Sequence, residues 1–324
     1  MTFIFVLIAL FLAMNVGANN SAAEMGAACG IGSRAKKEAL TLIAIFVILG
    51  AIIAGLPVLK TLGGQLVPAR SFKDHIYVVF VVMIVSAAFD LISNRFRISI
   101  PNSYAIVCSI AAVGFYYNNI SVETTETILR WWLFSPIAVF LTAFIFGKLL
   151  HFRISSFPNG LDVTGRMKTF LGATLTFSGC YVAFAGGANG AAKSMGPIVA
   201  AGIIDNRWGL LLGGAGIAAG ALVFGRAALE TADKEIVEVG FARAILIELV
   251  TATALLSASF SGVPLSVSVT VTSGLIGLGC ADSGFVRSAK KHHLLRTCFI
   301  WLAVPLLSVA LTYFLLHILS VILK

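Results

Sequence analysis

Residues 17–26 read GANNSAAEMG, and residues 187–196 read GANGAAKSMG. At an ungapped offset of 170, six of these ten positions are identical. The same offset sets Gly50-Ala51 on Gly220-Ala221, Gly55 on Gly225, Leu59 on Leu229 and Thr61 on Thr231. Further along, an offset of 163 sets Pro101-x-Ser103 on Pro264-x-Ser266, and Gly114 on Gly277. Apolar composition alone produces chance matches of Ala and Gly. It does not hold Asn, Pro, Ser and Thr in register over about a hundred residues. The chain therefore reads as a duplication, with a first repeat over 1–150 and a second over 160–324.

Composition says where the repeats reside. Of 324 residues, 59% are hydrophobic and only 11% charged, against about 25% charged in soluble domains. Mean hydropathy is +0.98. A soluble enzyme, a disordered chain and a disulfide scaffold are excluded. The formal net charge of +9 sits in short loops between apolar runs, as in integral membrane proteins, and does not indicate a nucleic-acid partner. Apolar segments lie near 2–32, 39–58, 76–92, 100–117 and 127–147, then near 164–203, 208–225, 241–260, 264–280 and 296–322. Five spans per half is an odd number, so the second half enters the membrane from the opposite side. The expected fold is an all-α integral membrane protein of about ten transmembrane segments in two inverted five-helix repeats. With both termini outside the plasma membrane, the inner side holds 16 basic residues and the outer side six. That is the sense of the positive-inside rule. The N-terminal run resembles a cleaved leader. It lacks a basic start, however, and its small-residue region recurs inside the chain, so it reads as the first span. The five cysteines show no ligand spacing and read as small buried hydrophobes. Trp131, Trp132, Trp208 and Trp301 fall near span ends.

The matched glycines invite a broken helix. In lipid every backbone polar group needs a partner, so a break at mid-membrane must line a cavity. Gly17 and Gly187 would free the backbone, and Asn19 and Asn189 would cap the half-helices that follow. N–H groups at such helix starts attract anions. Asn20, Ser21, Gly190 and Ser194 lie on the same turns. Pro101 and Pro264 suit first turns of helices, and each precedes a short apolar stretch. Ser103, Ser266 and Ser268 offer hydroxyls there. Residues 266–273 (SVSVTVTS) alternate like a strand. An open strand edge is not viable in a helical bundle, so an unwound lead-in to a helix is expected.

These residues resemble the inorganic phosphate transporter family, in which each repeat carries G-A-N-D and, later, P-V-S-T-T-H. The resemblance covers most of both halves. It implies a secondary transporter of an inorganic oxyanion with alternating access, and the family includes a bacterial sulfate permease branch. The departures are specific. The family's Asp after G-A-N is Asn20 in the first repeat and Gly190 in the second. Its later Asn falls on Ala23 and Lys193. Its Thr-Thr-His becomes Tyr104-Ala105-Ile106 and Val267-Ser268-Val269. Both acids of the sodium and phosphate site are gone. Sulfate, which has no proton to donate, suits a site of donors better than one with carboxylates. The expectation is sulfate import by proton symport. Sodium- or proton-coupled phosphate uptake and a passive anion channel are the alternatives.

Intramembrane charges are costly and suggest function. Lys193 is expected to neutralise the anion. Glu24, at the neighbouring repeat position, is expected to pair with Lys193 and carry the coupling proton, with Glu248 as a second coupling residue. Asp90 is expected to pair with Arg95 or Arg97. No protease, hydrolase or Cys–His motif is present. No metal or cofactor is implied. The expected partners are the oxyanion, protons and lipid, with room for a homodimer.

Overall fold

The computed structural model describes residues 2–30, 32–96, 100–154, 166–236, 241–283 and 292–322. They form an all-helical bundle. Helix α1 (Thr2–Gly30) is followed by α2 (Lys36–Ala54), short α3 (Leu56–Lys60), a π-turn at Thr61–Gln65 and α4 (Arg70–Lys73). Then come α5 (Ile76–Phe96), α6 (Asn102–Tyr116) and α7 (Val122–Ile154). The second half holds α8 (Arg166–Ala200), α9 (Asn206–Ile236), α10 (Phe241–Phe260), α11 (Val267–Ser283) and α12 (His292–Ile322). Eight of these are long and apolar enough to cross a membrane, and Asn102–Tyr116 and Val267–Ala281 are shorter apolar helices. A full span takes about 20 residues. Among the described residues, then, the ten apolar segments of the sequence each appear as a helix. Phe3, Phe177, Phe299, Leu302 and Leu306 are all exposed, as expected for side chains that meet lipid tails. Of the basic residues counted for topology, Arg97, Arg287, Lys290, Lys291 and Lys324 lie outside the described residues.

The expected breaks at Gly17 and Gly187 are not there. Helices α1 and α8 run unbroken, over 29 and 35 residues, through both GAN motifs. The glycines serve close approach instead. A β-carbon on Gly17 would overlap the carbonyl oxygen of Ile217 in α9, and one on Gly187 that of Val47 in α2. Gly220 likewise abuts the carbonyl of Met14, and Gly50 that of Phe184. Each contact has a counterpart 170 residues away, since Ile217 answers to Val47 and Phe184 to Met14. Helix α1 packs chiefly on α9, and α8 on α2. Outside this group α7 packs on α11, and α6 on α12.

The Pro-x-Ser segments form the expected unwound lead-ins, but neither proline lies in a first helical turn. Pro101 is extended (φ −72°, ψ 96°), and α6 starts at the next residue. Residues 263–266 are non-helical before α11. The alternating run 266–273 is helical from Val267, so the strand pattern is overridden.

Candidate functional site

The site forms where α8 meets the lead-ins of α6 and α11. The lead-in to α11, Val263, Pro264 and Leu265, is non-helical; the Val263 N–H bonds the Ala258 carbonyl, and the remaining backbone groups need side chains. Asn189 supplies two of them. Its Nδ2 donates to the Val263 carbonyl at 3.1 Å and to Ser259 Oγ at 3.1 Å. Its Oδ1 accepts from Leu265 N at 3.0 Å. The Trp132 indole donates to the Pro264 carbonyl at 2.9 Å, and Trp132 lies against Tyr104 with ring centroids 4.1 Å apart. Asn189 is therefore a brace for an unwound segment rather than a cap on its own helix.

One turn further along α8, Lys193 reaches the same segment. Its Nζ donates to Ser103 Oγ at 2.9 Å and to the Leu265 carbonyl at 3.1 Å. Ser103 in turn donates to the Leu265 carbonyl at 2.7 Å. The two Pro-x-Ser segments, 163 residues apart in sequence, thus meet through one lysine. An ammonium has three donors, and two are in use. Lys193 is only 6% exposed, and among the described residues no ion pair neutralises it. Ser266 Oγ and Ser268 Oγ lie 3.4 Å apart at the start of α11. The first N–H groups of a helix have no intrahelical acceptor. A buried cation, serine hydroxyls and the first amides of a helix together make a donor-rich junction suited to an anion.

Other expected residues lie elsewhere. Ser21 donates to Gly17 O at 2.7 Å and Ser194 to Ala191 O at 3.1 Å, so both hydroxyls serve their own helices. Gly190 packs against the Val16 and Ile217 side chains. Asn19 is exposed and Asn20 half-buried on α1, with no part in the Asn189 brace. The expected Lys193–Glu24 pair does not form. Glu24 packs beside Gly179 and Gly186 of α8, and neither carboxylate oxygen has a hydrogen-bond partner. The buried carboxylate whose field reaches Lys193 is Asp90 of α5. No ion pair joins Asp90 to Arg95 among the described residues, and Arg97 lies outside them. The reason is topological, because α5 lines the same interior as α8. Glu248 accepts a hydrogen bond from Ser178, on another stretch of α8. Sequence spacing did not signal Asp90, Trp132 or Ser259. Their partners are distant in the chain.

Replacing Asn189 with Ala is expected to lower both thermal stability and uptake. Each buried group left unpaired costs about 1–3 kcal/mol, and the brace holds three bonds. Asn189→Asp should behave similarly, since a carboxylate cannot donate to the Val263 carbonyl. Unfolding scans and uptake assays on both variants check this. Wild-type values in both would refute the brace.

The sequence model of the phosphate transporter family matches residues 16–164 and 159–312. The sulfate permease CysP of Bacillus subtilis is 32% identical over 317 residues, spanning 97% of this chain and 86% of that one. A putative phosphate permease of Pyrococcus horikoshii is 25% identical, spanning 83% of this chain and 86% of that one. A solved structure described as the sodium-dependent phosphate transporter shares the fold, with a TM-score of 0.81 at 20% identity over 99% of both chains. The ten apolar helices, the donor-rich junction and these matches place the chain in the phosphate transporter family, as a multi-pass membrane transporter.

Proposed function

We propose that this chain imports sulfate by proton symport, binding it between Lys193, Ser103, Ser266 and the start of α11. The observation that carries this reading is the buried Lys193 ammonium, without an ion pair among the described residues, at the meeting point of the two Pro-x-Ser segments. A dianion entering there gains a charge-assisted partner already held in place. The family's acids are absent at Asn20 and Gly190. At those motif positions a fully ionised oxyanion therefore meets no carboxylate, and hydrogen phosphate finds none there for its proton. The 32% identity to a sulfate permease points the same way.

Coupling is assigned to protons because the carboxylates suited to a hard cation are missing from the motif. Glu24 is the first candidate carrier. Its buried carboxyl faces no donor, which makes a negative charge costly there and suits a group that binds and releases a proton in each cycle. Glu248, held by Ser178, is the second. The paired glycine contacts and the exchanged packing of α1 on α9 and α8 on α2 support two inverted repeats, and the excess of basic residues in one set of loops supports both termini lying outside the plasma membrane. Alternating access between those repeats would carry the anion across.

Purified protein in liposomes decides between readings. An inward proton gradient should drive sulfate accumulation without sodium, and excess phosphate should leave it unchanged. Strict sodium dependence, or strong competition by phosphate, would select the sodium-coupled phosphate reading. Equilibration without accumulation would select a channel.

A further inference from the structure

An open cleft of mixed polar and apolar lining lies just beyond the braced segment. Lys60, Thr61 and Gln65, at the end of α3 and in the π-turn, face Phe260, Ser261 and Gly262 across a space of about 240 Å3 that Leu56 and Pro57 also line. At about 30 Å3 per water of liquid volume, that space admits a five-atom oxyanion with part of its hydration shell. Its wall is fixed. Gly262 has φ +72°, and a β-carbon there would sit 2.8 Å from Thr61 Oγ1. Gln65 Oε1 lies 3.2 Å from the Thr61 hydroxyl, which leaves the Gln65 Nε2 donors for another acceptor.

Lys60 is exposed and forms no ion pair among the described residues. The contrast with its repeat counterpart is informative. The position 170 residues on is Glu230, which is paired with Arg226 at 3.1 Å and Lys36 at 3.6 Å. One repeat therefore carries an open cation where the other carries a neutralised acid. Gly262 also leads directly into Val263–Leu265, the segment that ends at Lys193. Three residue steps span at most about 11 Å.

We propose that the Lys60 ammonium and the Gln65 amide, at the rim of this cleft, form a separate, weaker docking site for a tetrahedral oxyanion, from which the anion passes to Lys193. This rests on the oxyanion reading above and adds a second stage to it. A cation at the mouth of a cleft raises local anion concentration and capture rate, with strong salt dependence. Removing it acts on KM and leaves the slow steps alone.

Ser261→Cys, in a chain carrying Cys298→Ser, places a reporter in the cavity wall. It should react with a membrane-impermeant methanethiosulfonate added from outside. Sulfate should slow that reaction about threefold or more at low salt. Lys60→Gln should remove the protection, and Lys193→Met should keep it. In uptake assays Lys60→Gln should raise KM for sulfate about three- to tenfold with maximal rate unchanged, and Lys60→Arg should restore it. The proposal is overturned if sulfate gives no protection with Lys60 present, or if protection disappears with Lys193→Met, which would trace it to the central site. It is equally overturned if protection comes from phosphatidylglycerol vesicles and not from sulfate in phosphatidylcholine ones, which would make the ligand a lipid headgroup. If the unmodified chain moves no sulfate, the transport reading fails, while thiol labelling at position 261 still reports on the cavity.

Discussion

Lys193→Met is expected to abolish substrate uptake without weakening the fold. The two effects have different origins. For a dianion in a dry pocket, losing the one buried cation removes a hydrogen-bonded charge interaction worth about 2–5 kcal/mol, or about 30- to 4000-fold in affinity. For the empty protein, the same ammonium is a buried charge without an ion-pair partner among the described residues. Replacing such a charge with an apolar side chain of similar volume is often neutral or stabilising. No hydrogen-bond partner is stranded, because Ser103 keeps its own bond to the Leu265 carbonyl. The melting temperature in detergent should hold or rise while uptake vanishes, and Lys193→Arg should retain a fraction of activity. Full uptake by the Met variant would end the case for Lys193 as a substrate ligand. A large fall in melting temperature would recast it as a structural strut.

The second large effect is on assembly. Gly17→Val and Gly187→Val should each prevent recovery of monodisperse protein. Ordinary overpacking costs about 1–3 kcal/mol because neighbouring side chains can shift. Here the obstacle is main chain, the carbonyls of Ile217 and Val47, so two helices would have to part along their length. Gly274→Ala is the matched control. It is also in a helix of the bundle, and its β-carbon would meet nothing closer than 3.6 Å. Size-exclusion profiles and melting temperatures of the three variants test the difference. Normal behaviour of Gly17→Val would show that the α1–α9 contact is looser than described.

What could be read from the chain was whatever leaves a local mark. Apolar length marked ten helices. Register between GANNSAAEMG and GANGAAKSMG marked the duplication. Pro before x-Ser marked two late helix starts, and Lys193 stood out as a charge in an apolar run. The role of Gly17 and Gly187 could not be decided locally. A glycine that breaks a helix and one that admits a neighbouring backbone look the same until the neighbour is known. The partners of Asn189 and Lys193 were hidden for the same reason, since Val263, Leu265 and Ser103 lie 72 to 90 residues away. Pairing Lys193 with Glu24 rested on repeat equivalence alone. Equivalent positions in a duplicated fold occupy matching places, which need not be touching ones.

The bare-backbone seams between α1 and α9 and between α8 and α2 have a mechanical consequence. Where side chains interdigitate, helices can slide by exchanging rotamers, but a seam of glycine against carbonyl has nothing to re-pack. Those four helices are welded into one chassis, and any shape change large enough to admit a solute must fall outside it. Lys193 reaches from this chassis to α6 and the lead-in of α11, so on the proposed reading an anion bound there would span the joint that opens.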